Sequence, residues 1–212
     1  MVFVGLRFGL ALLKREDMNP SIVEPGLEVV GVCDLDIEIA QAAGQELNLK
    51  VYTSLDDVLK DPNVDAVGLF TGPNGRAALI KKIIRAGKHV MTTKPFELDA
   101  VAALGVLKEA NDLKKVIHLN SPGPLPAPET EQVLQWTREF DLGRPVSIQW
   151  ETQADYHDSA DGSWYDDADR CPVAPIFRLG IYGINQIIRL CGDIEEVGVV
   201  HSKIRTGRPT PD

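Results

Sequence analysis

Residues near the start of the chain have the types and spacing of a phosphate-binding turn. Gly5, Arg7 and Gly9 follow the apolar run Val2–Val4, and the residues from Leu10 onward have a helical pattern. Backbone N–H groups at the start of a helix bind anions such as pyrophosphate. In the G-x-G-x-x-G pattern, however, Arg7 and Leu10 stand at the second and third glycine positions. The segment therefore predicts either a pyrophosphate site or a tight strand–helix turn without a ligand.

A carboxylate closes the next apolar run of the chain. Asp34 follows Leu27–Cys33, at a position where an acidic side chain can accept hydrogen bonds from both hydroxyls of an adenosine ribose. Its charge would repel a 2′-phosphate, which favours NAD over NADP as the ligand. The alternative is that Asp34 only caps the helix that begins near Ile37.

Segments that predict strands alternate with segments that predict helices through residues 1–120. The predicted strands are Val2–Val4, Leu27–Cys33, Val51–Tyr52, Ala66–Phe70, His89–Met91 and Val116–Leu119. The predicted helices are Leu10–Leu13, Ile37–Leu47, Leu55–Leu59, Ala77–Arg85 and Leu98–Leu113. Because the strands are apolar on both faces, the alternation indicates an α/β fold with a doubly wound parallel sheet covered on both sides.

Four polar segments follow predicted strands of this sheet. They are Gly5–Gly9, Asp34, Thr71–Asn74 and Thr93–Pro95. Ligands of open parallel sheets bind at the carboxyl ends of the strands. The coincidence predicts a dinucleotide-binding Rossmann domain with its site at this edge.

The pattern changes after Asn120, and we expect a second domain over residues 121–212. Ser121–Pro128 contains four prolines in eight residues, which indicates a hinge-like crossover. The elements expected after it are a helix at Glu129–Phe140, a strand at Val146–Thr152, a polar loop at Asp155–Pro175, a helix at Ile181–Leu190 and a strand at Val197–Ile204. Two strands make a poor independent sheet. The second domain is therefore expected to be α+β with an open, incomplete sheet.

Composition narrows the classes of partner. The formal net charge of −9 gives no basic face for nucleic acid or for an anionic membrane. No apolar run is long enough to span a membrane, and the first residues lack the charged start of a signal peptide. Three widely spaced cysteines favour a reduced, cytoplasmic protein without disulfides. A small molecule is the expected ligand.

An aspartate-rich segment raises the question of a metal. Asp155–Asp169 carries six aspartates together with His157, Trp164 and Tyr165. The spacing shows no compact ligand set, so a solvated or substrate-covering loop is expected and no metal site is predicted.

Several segments together resemble the glucose–fructose oxidoreductase / inositol dehydrogenase (Gfo/Idh/MocA) family. They are Leu27–Asp34 (LEVVGVCD), Val51–Ser54, Asp61–Phe70 (DPNVDAVGLF), Thr71–Asn74 and Ala86–Pro95 (AGKHVMTTKP). The resemblance implies an NAD(P)-dependent oxidoreductase that acts on sugars, cyclitols or related alcohols, with a C-terminal open sheet that commonly forms the subunit interface. It implies a homo-oligomer. The cofactor-binding residues expected from the strand ends and the resemblance are Gly5, Arg7, Phe8, Gly9, Asp34, Thr71, Pro73, Asn74, Lys94 and Pro95.

The resemblance also implies the catalytic and substrate residues. Lys94 matches the lysine of the family's Glu-Lys-Pro signature, which approaches nicotinamide and substrate. Phe177–Asn185 (FRLGIYGIN) is similar to the family's D-x-G-x-H-x-x-D/N segment, with Tyr182 in place of the histidine. Lys94 and Tyr182 are then the catalytic pair, in which a nearby ammonium would stabilise a phenolate. Asn185 and Arg178 are expected to contact substrate.

Three departures from the family pattern leave a second function open. Arg7 replaces a glycine, Thr93 replaces the acidic residue before Lys94, and Arg178 replaces another acidic residue. Arg7 either contacts the pyrophosphate or excludes it by its bulk. The alternative function is a catalytically silent family member that binds dinucleotide or sugar as a sensor or assembly partner.

Overall fold

Two compact units make up the chain, Met1–Asn120 and Ser121–Asp212. The computed structural model describes residues 1–14, 27–123, 125–152, 164–172 and 176–200.

In its described residues, the first unit is a parallel sheet with helices between its strands. The strands are β1 (Val2–Val4), β2 (Gly31–Cys33), β3 (Lys50–Tyr52), β4 (Ala66–Leu69), β5 (His89–Thr92) and β6 (Ile117–Leu119). The helices are α1 (Leu6–Lys14), α2 (Ile37–Leu47), α3 (Leu55–Lys60), α4 (Arg76–Arg85) and α5 (Ala100–Asp112). The strand order is β3-β2-β1-β4-β5-β6, and all neighbours are parallel. This is the order of a dinucleotide-binding Rossmann sheet, which confirms the predicted fold class.

Alternating side chains of β1 enter two separate cores. Val2 and Val4 pack with the helices α3, α4 and α5 on one face of the sheet. Phe3 packs with α1 and α2 on the other face. A strand that is buried on both faces needs apolar side chains at every position, and this explains the continuous apolar run from which β1 was predicted.

Two predicted elements of the first unit start four residues away from the predicted position, and the others agree to within two residues at each end. Helix α1 begins at Leu6, four residues before the predicted start, because the chain turns from strand to helix at the single residue Gly5, whose φ is +87°. Strand β2 covers only the last part of the predicted Leu27–Cys33. Its partner β1 begins at Val2, which pairs with Gly31, so residues 27–30 lie beyond the start of the neighbouring strand.

The carboxyl ends of the strands are in register across the sheet. The aligned residues, in spatial order, are Tyr52, Cys33, Val4, Leu69, Thr92 and Leu119. Each is the last residue of its strand. The residue that follows each strand therefore emerges at one common edge.

Asp61, the residue after α3, is hydrogen-bonded to two side chains of β3. Its carboxylate accepts hydrogen bonds from Lys50 Nζ at 2.7 Å, from the Tyr52 hydroxyl at 2.9 Å and from the backbone N–H of Asn63 at 2.9 Å. These three donors, the Lys50 ammonium foremost, hold the pKa of Asp61 well below its usual range. Because the folded state favours the ionised form, Asp61 stabilises the fold above the unfolded-state pKa of about 4 and loses that effect as the pH falls further.

Asp61→Asn is expected to lower the melting temperature at neutral pH, and the difference from wild type should shrink as the pH falls from about 5 toward 2. Thermal denaturation over that range measures it. Asp112→Asn is the matched control, since Asp112 accepts only an exposed bond from Lys108 and should change little at any pH. A difference for Asp61→Asn that stays constant with pH would contradict the assignment.

In the second unit, the described regular structure is helical. Helix α6 spans Pro128–Glu139, a 3-10 turn covers Trp164–Asp166, and a π-helical turn at Ile176–Gly180 runs directly into α7 (Ile181–Cys191). Both predicted helices are confirmed to within one residue at each end.

The strands predicted in the second unit are wrong where the structure describes them. Residues 146–152 and 197–200 are extended or irregular and pair with no strand. Val146 and Val200 are fully exposed, and Trp150 packs against Gly183 of α7 rather than against a neighbouring strand. The rest of the second predicted strand, residues 201–204, lies outside the described residues.

Candidate functional site

Gly5 brings the β1–α1 turn against the end of β4. Its N–H donates to the carbonyl of Cys33 at 3.1 Å, which ties the turn to β2 as well. A Cβ atom at Gly5 would lie 2.8 Å from the backbone carbon of Phe70 and 2.9 Å from its oxygen. The turn can therefore sit between β2 and β4 only because residue 5 has no side chain.

Asp34 lies at the start of α1 rather than at the start of α2. One carboxylate oxygen accepts from the Leu6 N–H at 2.6 Å, and the other accepts from the Asp36 N–H at 3.0 Å. The residue that caps α2 is Asp36, which accepts from the Glu38 N–H at 3.1 Å. The alternative in which Asp34 caps that helix is therefore wrong. Each Asp34 oxygen keeps acceptor capacity for a further donor, such as a ribose hydroxyl.

The first turn of α1 also retains donors. By helix geometry, the N–H groups of Arg7 and Phe8 have no acceptor within α1. The Arg7 side chain is exposed, and the Phe8 ring, 44% exposed, lies 5.9 Å from the Phe70 ring, centroid to centroid. Gly9 is buried under the ring of Phe70. A Cβ atom at Gly9 would lie 3.1 Å from the Cδ2 atom of that ring. The turn thus offers N–H groups, and the positive end of a helix dipole, to an anion.

The loop after β4 forms the adjoining wall. The Phe70 N–H donates to the carbonyl of Val4 at 2.8 Å, so β1 and β4 stay paired to their ends. Beyond it, Thr71 is partly buried, Pro73 is buried and Asn74 is exposed. The predicted cofactor residues of this loop therefore lie beside the β1–α1 turn.

Lys94 and Pro95 leave the sheet beside this loop. The hydroxyl of Thr92, the last residue of β5, donates to the Leu69 carbonyl at 2.7 Å. Its own carbonyl accepts from the Asn120 N–H at 2.9 Å, which places the exit of β6 next to that of β5. Lys94 is partly buried and Pro95 is buried. The predicted cofactor-binding residues thus follow four consecutive strands of the sheet, β2, β1, β4 and β5.

Two residues of this edge were missed by the sequence analysis. Arg76 is 1% exposed, and its guanidinium donates to the backbone carbonyls of Thr71, Thr93 and Pro95. Asn120 has a buried Oδ1 atom without a hydrogen-bond partner among the described residues, so it can accept a bond from a ligand. Asn120 could have been found, because it follows a predicted strand as the other candidates do. No feature of the sequence marks Arg76 as buried, since an arginine at a helix start is usually exposed.

The predicted catalytic and substrate residues of the second unit lie on or just before α7. The hydroxyls of Tyr182 and Ser121 are 2.7 Å apart and share a hydrogen bond. The Asn185 Oδ1 atom accepts from Arg189 Nε at 2.8 Å. Tyr182, Asn185 and Arg189 are spaced three and four residues apart, so they share one face of the helix. The pairing of Tyr182 with Lys94 stays a prediction.

Arg178 has a different environment from Asn185. Its guanidinium carbon lies 3.3 Å from the centroid of the Tyr165 ring, a stacked cation–π contact. The contact holds Arg178, in the π-helical turn before α7, against the short 3-10 turn of the same unit. A role for Arg178 toward substrate stays a prediction.

The described ranges contain neither a cluster of metal-binding side chains nor a membrane-spanning helix. Within them, no three His, Cys, Asp or Glu side chains lie close enough to hold a metal ion. The same part of the chain has no helix that is long and apolar enough to cross a membrane. Residues 155–163 of the aspartate-rich segment lie outside the described residues.

Comparison with known proteins gives a family and several relatives. A family model described as an oxidoreductase family with an NAD-binding Rossmann fold (GFO_IDH_MocA) matches residues 1–121. Over 97 residues the chain is 36% identical to an inositol 2-dehydrogenase/D-chiro-inositol 3-dehydrogenase of Lacticaseibacillus casei, a match that covers 44% of this chain and 28% of that enzyme.

Two solved structures have similar folds. One is myo-inositol dehydrogenase from Lactobacillus casei in complex with NAD(H) and myo-inositol, with a TM-score of 0.59, 25% identity, and coverage of 68% of this chain and 42% of that chain. The other is the 3-ketoreductase KijD10 from Actinomadura kijaniata in complex with TDP-benzene and NADP, with a TM-score of 0.55, 22% identity, and coverage of 65% and 42%. The chain therefore spans less than half the length of each of these relatives.

Proposed function

This chain belongs to the Gfo/Idh/MocA family of oxidoreductases, and we propose that it binds NAD at the carboxyl edge of its Rossmann sheet and transfers a hydride between the nicotinamide and a carbinol carbon of a sugar or cyclitol. The observation that carries the proposal is the register of the sheet, which aligns the last residues of β2, β1, β4 and β5. This alignment brings the α1 start, Asp34, the 71–74 loop and Lys94 to one edge.

The residues at this edge fit a dinucleotide. The Arg7 and Phe8 N–H groups, with the positive end of the α1 dipole, suit the pyrophosphate. The exposed Arg7 side chain leaves the turn open and adds a positive charge. Asp34 keeps acceptor capacity for ribose hydroxyls, and the buried Asn120 Oδ1 atom is an acceptor at the other end of the row. The donor and acceptor sets follow the order adenosine ribose, pyrophosphate and nicotinamide along the ends of β2, β1, β4 and β5.

In this proposal the cofactor, when bound, supplies the hydride acceptor or donor, and the protein supplies the proton chemistry. Lys94 holds a positive charge beside the reacting hydroxyl and stabilises negative charge that develops on its oxygen. Tyr182 exchanges a proton with that hydroxyl through its phenol, and the Ser121 hydroxyl, 2.7 Å away, orients it. Asn185 and Arg178 contact the substrate from the second unit.

The substrate class, assembly and location extend the same proposal. The named relatives that act on or bind inositol support a polyhydroxylated substrate. The functional division is residues 1–120 for the dinucleotide and 121–212 for substrate and homo-oligomer contacts. Cys33, Cys171 and Cys191 are not joined in disulfide bonds, which agrees with action in the cytoplasm.

A titration with NADH and NADPH, followed by a screen of inositols and aldoses for reduction of NAD, tests the function. We expect binding of NADH and turnover of at least one polyol. Binding without turnover of any polyol would favour the silent sensor, and no binding of either cofactor would overturn the proposal.

Asp34→Asn is expected to raise the affinity for NADPH relative to NADH by about tenfold, since it removes the charge that repels a 2′-phosphate. The amide oxygen can still accept from the Leu6 N–H, so the turn should be kept. Calorimetric titration of both variants with both cofactors gives the ratio. Asp36→Asn, which changes the neighbouring cap of α2, is the control and should leave the ratio unchanged. An unchanged ratio in Asp34→Asn would count against NAD preference through this carboxylate.

A further inference from the structure

Arg76 is an arginine buried inside the Rossmann unit. It is the first residue of α4 and is 1% exposed. Its Nη1 atom donates to the Thr93 carbonyl at 2.5 Å and also to the Pro95 carbonyl, and its Nη2 atom donates to the Thr71 carbonyl. One guanidinium therefore joins the loop after β4 to the loop after β5.

The two acceptors of Nη1 lie on either side of Lys94. Thr93 precedes Lys94 and Pro95 follows it, so the same nitrogen holds the peptide group on the amino side of Lys94 and the carbonyl of the residue after it. The direction in which a side chain leaves the backbone depends on the peptide planes on either side of its Cα atom, and the first of these, between Thr93 and Lys94, contains an acceptor of Arg76. The guanidinium thus holds the backbone before and after Lys94 and restrains where its side chain starts.

Burial of this charge has a cost that the fold tolerates. Desolvation lowers the pKa of Arg76 to about 10, while the nearby Glu97 acts in the opposite direction. Glu97 adds a second link between α4 and the segment after β5. Its carboxylate accepts from the Ala77 N–H at 2.7 Å and from the Leu98 N–H at 2.7 Å. The start of α4 is therefore clamped to residues 93–98 by Arg76 and by Glu97.

A purely structural need would not require this residue type. A buried cation whose Nη atoms donate to backbone carbonyls, and whose buried Nε atom has no partner among the described residues, is costly compared with an apolar side chain. A guanidinium is the side chain that can reach several carbonyls at once in a fixed planar geometry, which an ammonium cannot do.

We propose that Arg76 is a positioning residue, whose planar guanidinium sets the geometry of Lys94 relative to the loop after β4. The proposal rests on the proposed function only in giving Lys94 a catalytic role. The hydrogen bonds from Arg76 to the backbone, called the clamp below, can be tested without measuring turnover.

Hydrogen exchange followed by mass spectrometry tests the clamp directly. In Arg76→Lys we expect peptides that cover residues 92–98 and 71–75 to exchange about tenfold faster, with little change in peptides from β1 and β2. Arg85→Lys is the matched control at the other end of α4, where the arginine pairs with Glu109 on the surface, and it should change neither region. The proposal would be overturned if hydrogen exchange became faster to the same degree over the whole unit, or if it did not become faster at all. It would also be overturned if Arg76→Lys failed to fold while Arg85→Lys folded.

Kinetics provide the second readout. Arg76→Lys is expected to lower kcat by about tenfold or more while the KM for the cofactor stays within about threefold of wild type, since Lys94 is misplaced but the α1 turn is intact. A parallel loss in both constants would indicate general damage and would overturn the positioning role. If the wild type binds no cofactor, the proposed function fails, whereas the exchange experiment still decides the clamp.

Discussion

Replacing Lys94 with methionine is expected to lower kcat by about 10²- to 10⁴-fold on whichever polyol the wild type oxidises fastest. The reason is that the Lys94 ammonium is the cation proposed to stabilise charge on the reacting oxygen. Methionine keeps most of the length and the apolar stem of lysine, so the partly buried stem can still pack. The change therefore removes the charged end of the side chain and keeps its apolar stem.

Cofactor binding should survive this change. The proposed pyrophosphate and ribose contacts come from the α1 start and from Asp34, in loops that follow other strands. We expect the dissociation constant for NADH to stay within roughly threefold of wild type, so that the loss falls on kcat. Steady-state absorbance assays of cofactor reduction measure kcat, and calorimetry on the same samples measures the dissociation constant.

Lys60→Met is the matched control for the removal of a lysine charge. Lys60 ends α3, is exposed, and lies 4.0 Å from Asp57. Full activity in Lys60→Met and near-complete loss in Lys94→Met is the expected pair of results. Turnover of Lys94→Met at the wild-type rate would show that another group does the proton and charge chemistry.

Gly5→Ala is expected to have the largest effect on stability, about 2–5 kcal/mol of the free energy of unfolding. Two costs add at this residue. Its φ of +87° is unfavourable for a side chain, and the new Cβ atom would lie 2.8 Å from the backbone carbon of Phe70, which cannot move away as a side chain can. Such a loss is a large part of a typical domain's total stability.

Gly87→Ala separates the cost of the positive φ from the cost of the steric contact. Gly87 has a φ of +81°, close to that of Gly5, but a Cβ atom there would meet nothing within 4 Å. It should therefore cost only the conformational part, about 1–2 kcal/mol. Urea denaturation of both variants gives the difference, which measures the contact with β4. Equal losses in the two variants would show that the β1–α1 turn can move away from Phe70.

Gly5→Ala should also weaken NADH binding where Gly87→Ala does not. The alanine would push the start of α1 away from the end of β4, and the N–H groups of Arg7 and Phe8 would move with it. Calorimetry on folded samples of both variants makes this comparison.

The Rossmann unit could be predicted because its signals are local and repeated. Each buried strand has an apolar run, and each strand end has a polar or glycine residue, so the row that contains Gly5, Asp34, Thr71 and Lys94 follows from the alternation alone. The partners within the row could not be predicted. That Asp34 bonds to Leu6, rather than to its own helix, depends on the register of β1 against β2, which the sequence does not express.

The second unit shows the limit of pattern analysis. Val146–Thr152 has the apolar alternation of a strand, but alternation specifies only the side-chain faces and not the neighbour that supplies backbone hydrogen bonds. Arg76 shows the same limit for a polar residue. Its burial follows from three carbonyls contributed by two loops that are distant in sequence, and no local pattern marks such a residue.

The bond between Asp34 and the Leu6 N–H has a consequence for engineering and for divergence of the cofactor preference. The carboxylate that would discriminate between two cofactors also supports the first turn of α1, an interaction worth about 0.5–2 kcal/mol. A substitution that only deletes the charge, such as alanine, therefore relaxes selectivity and weakens the phosphate turn at the same time. Productive routes to a 2′-phosphate pass through residues that still accept the Leu6 bond, such as asparagine, serine or threonine, so the backbone limits which replacements evolution or a designer can use at position 34.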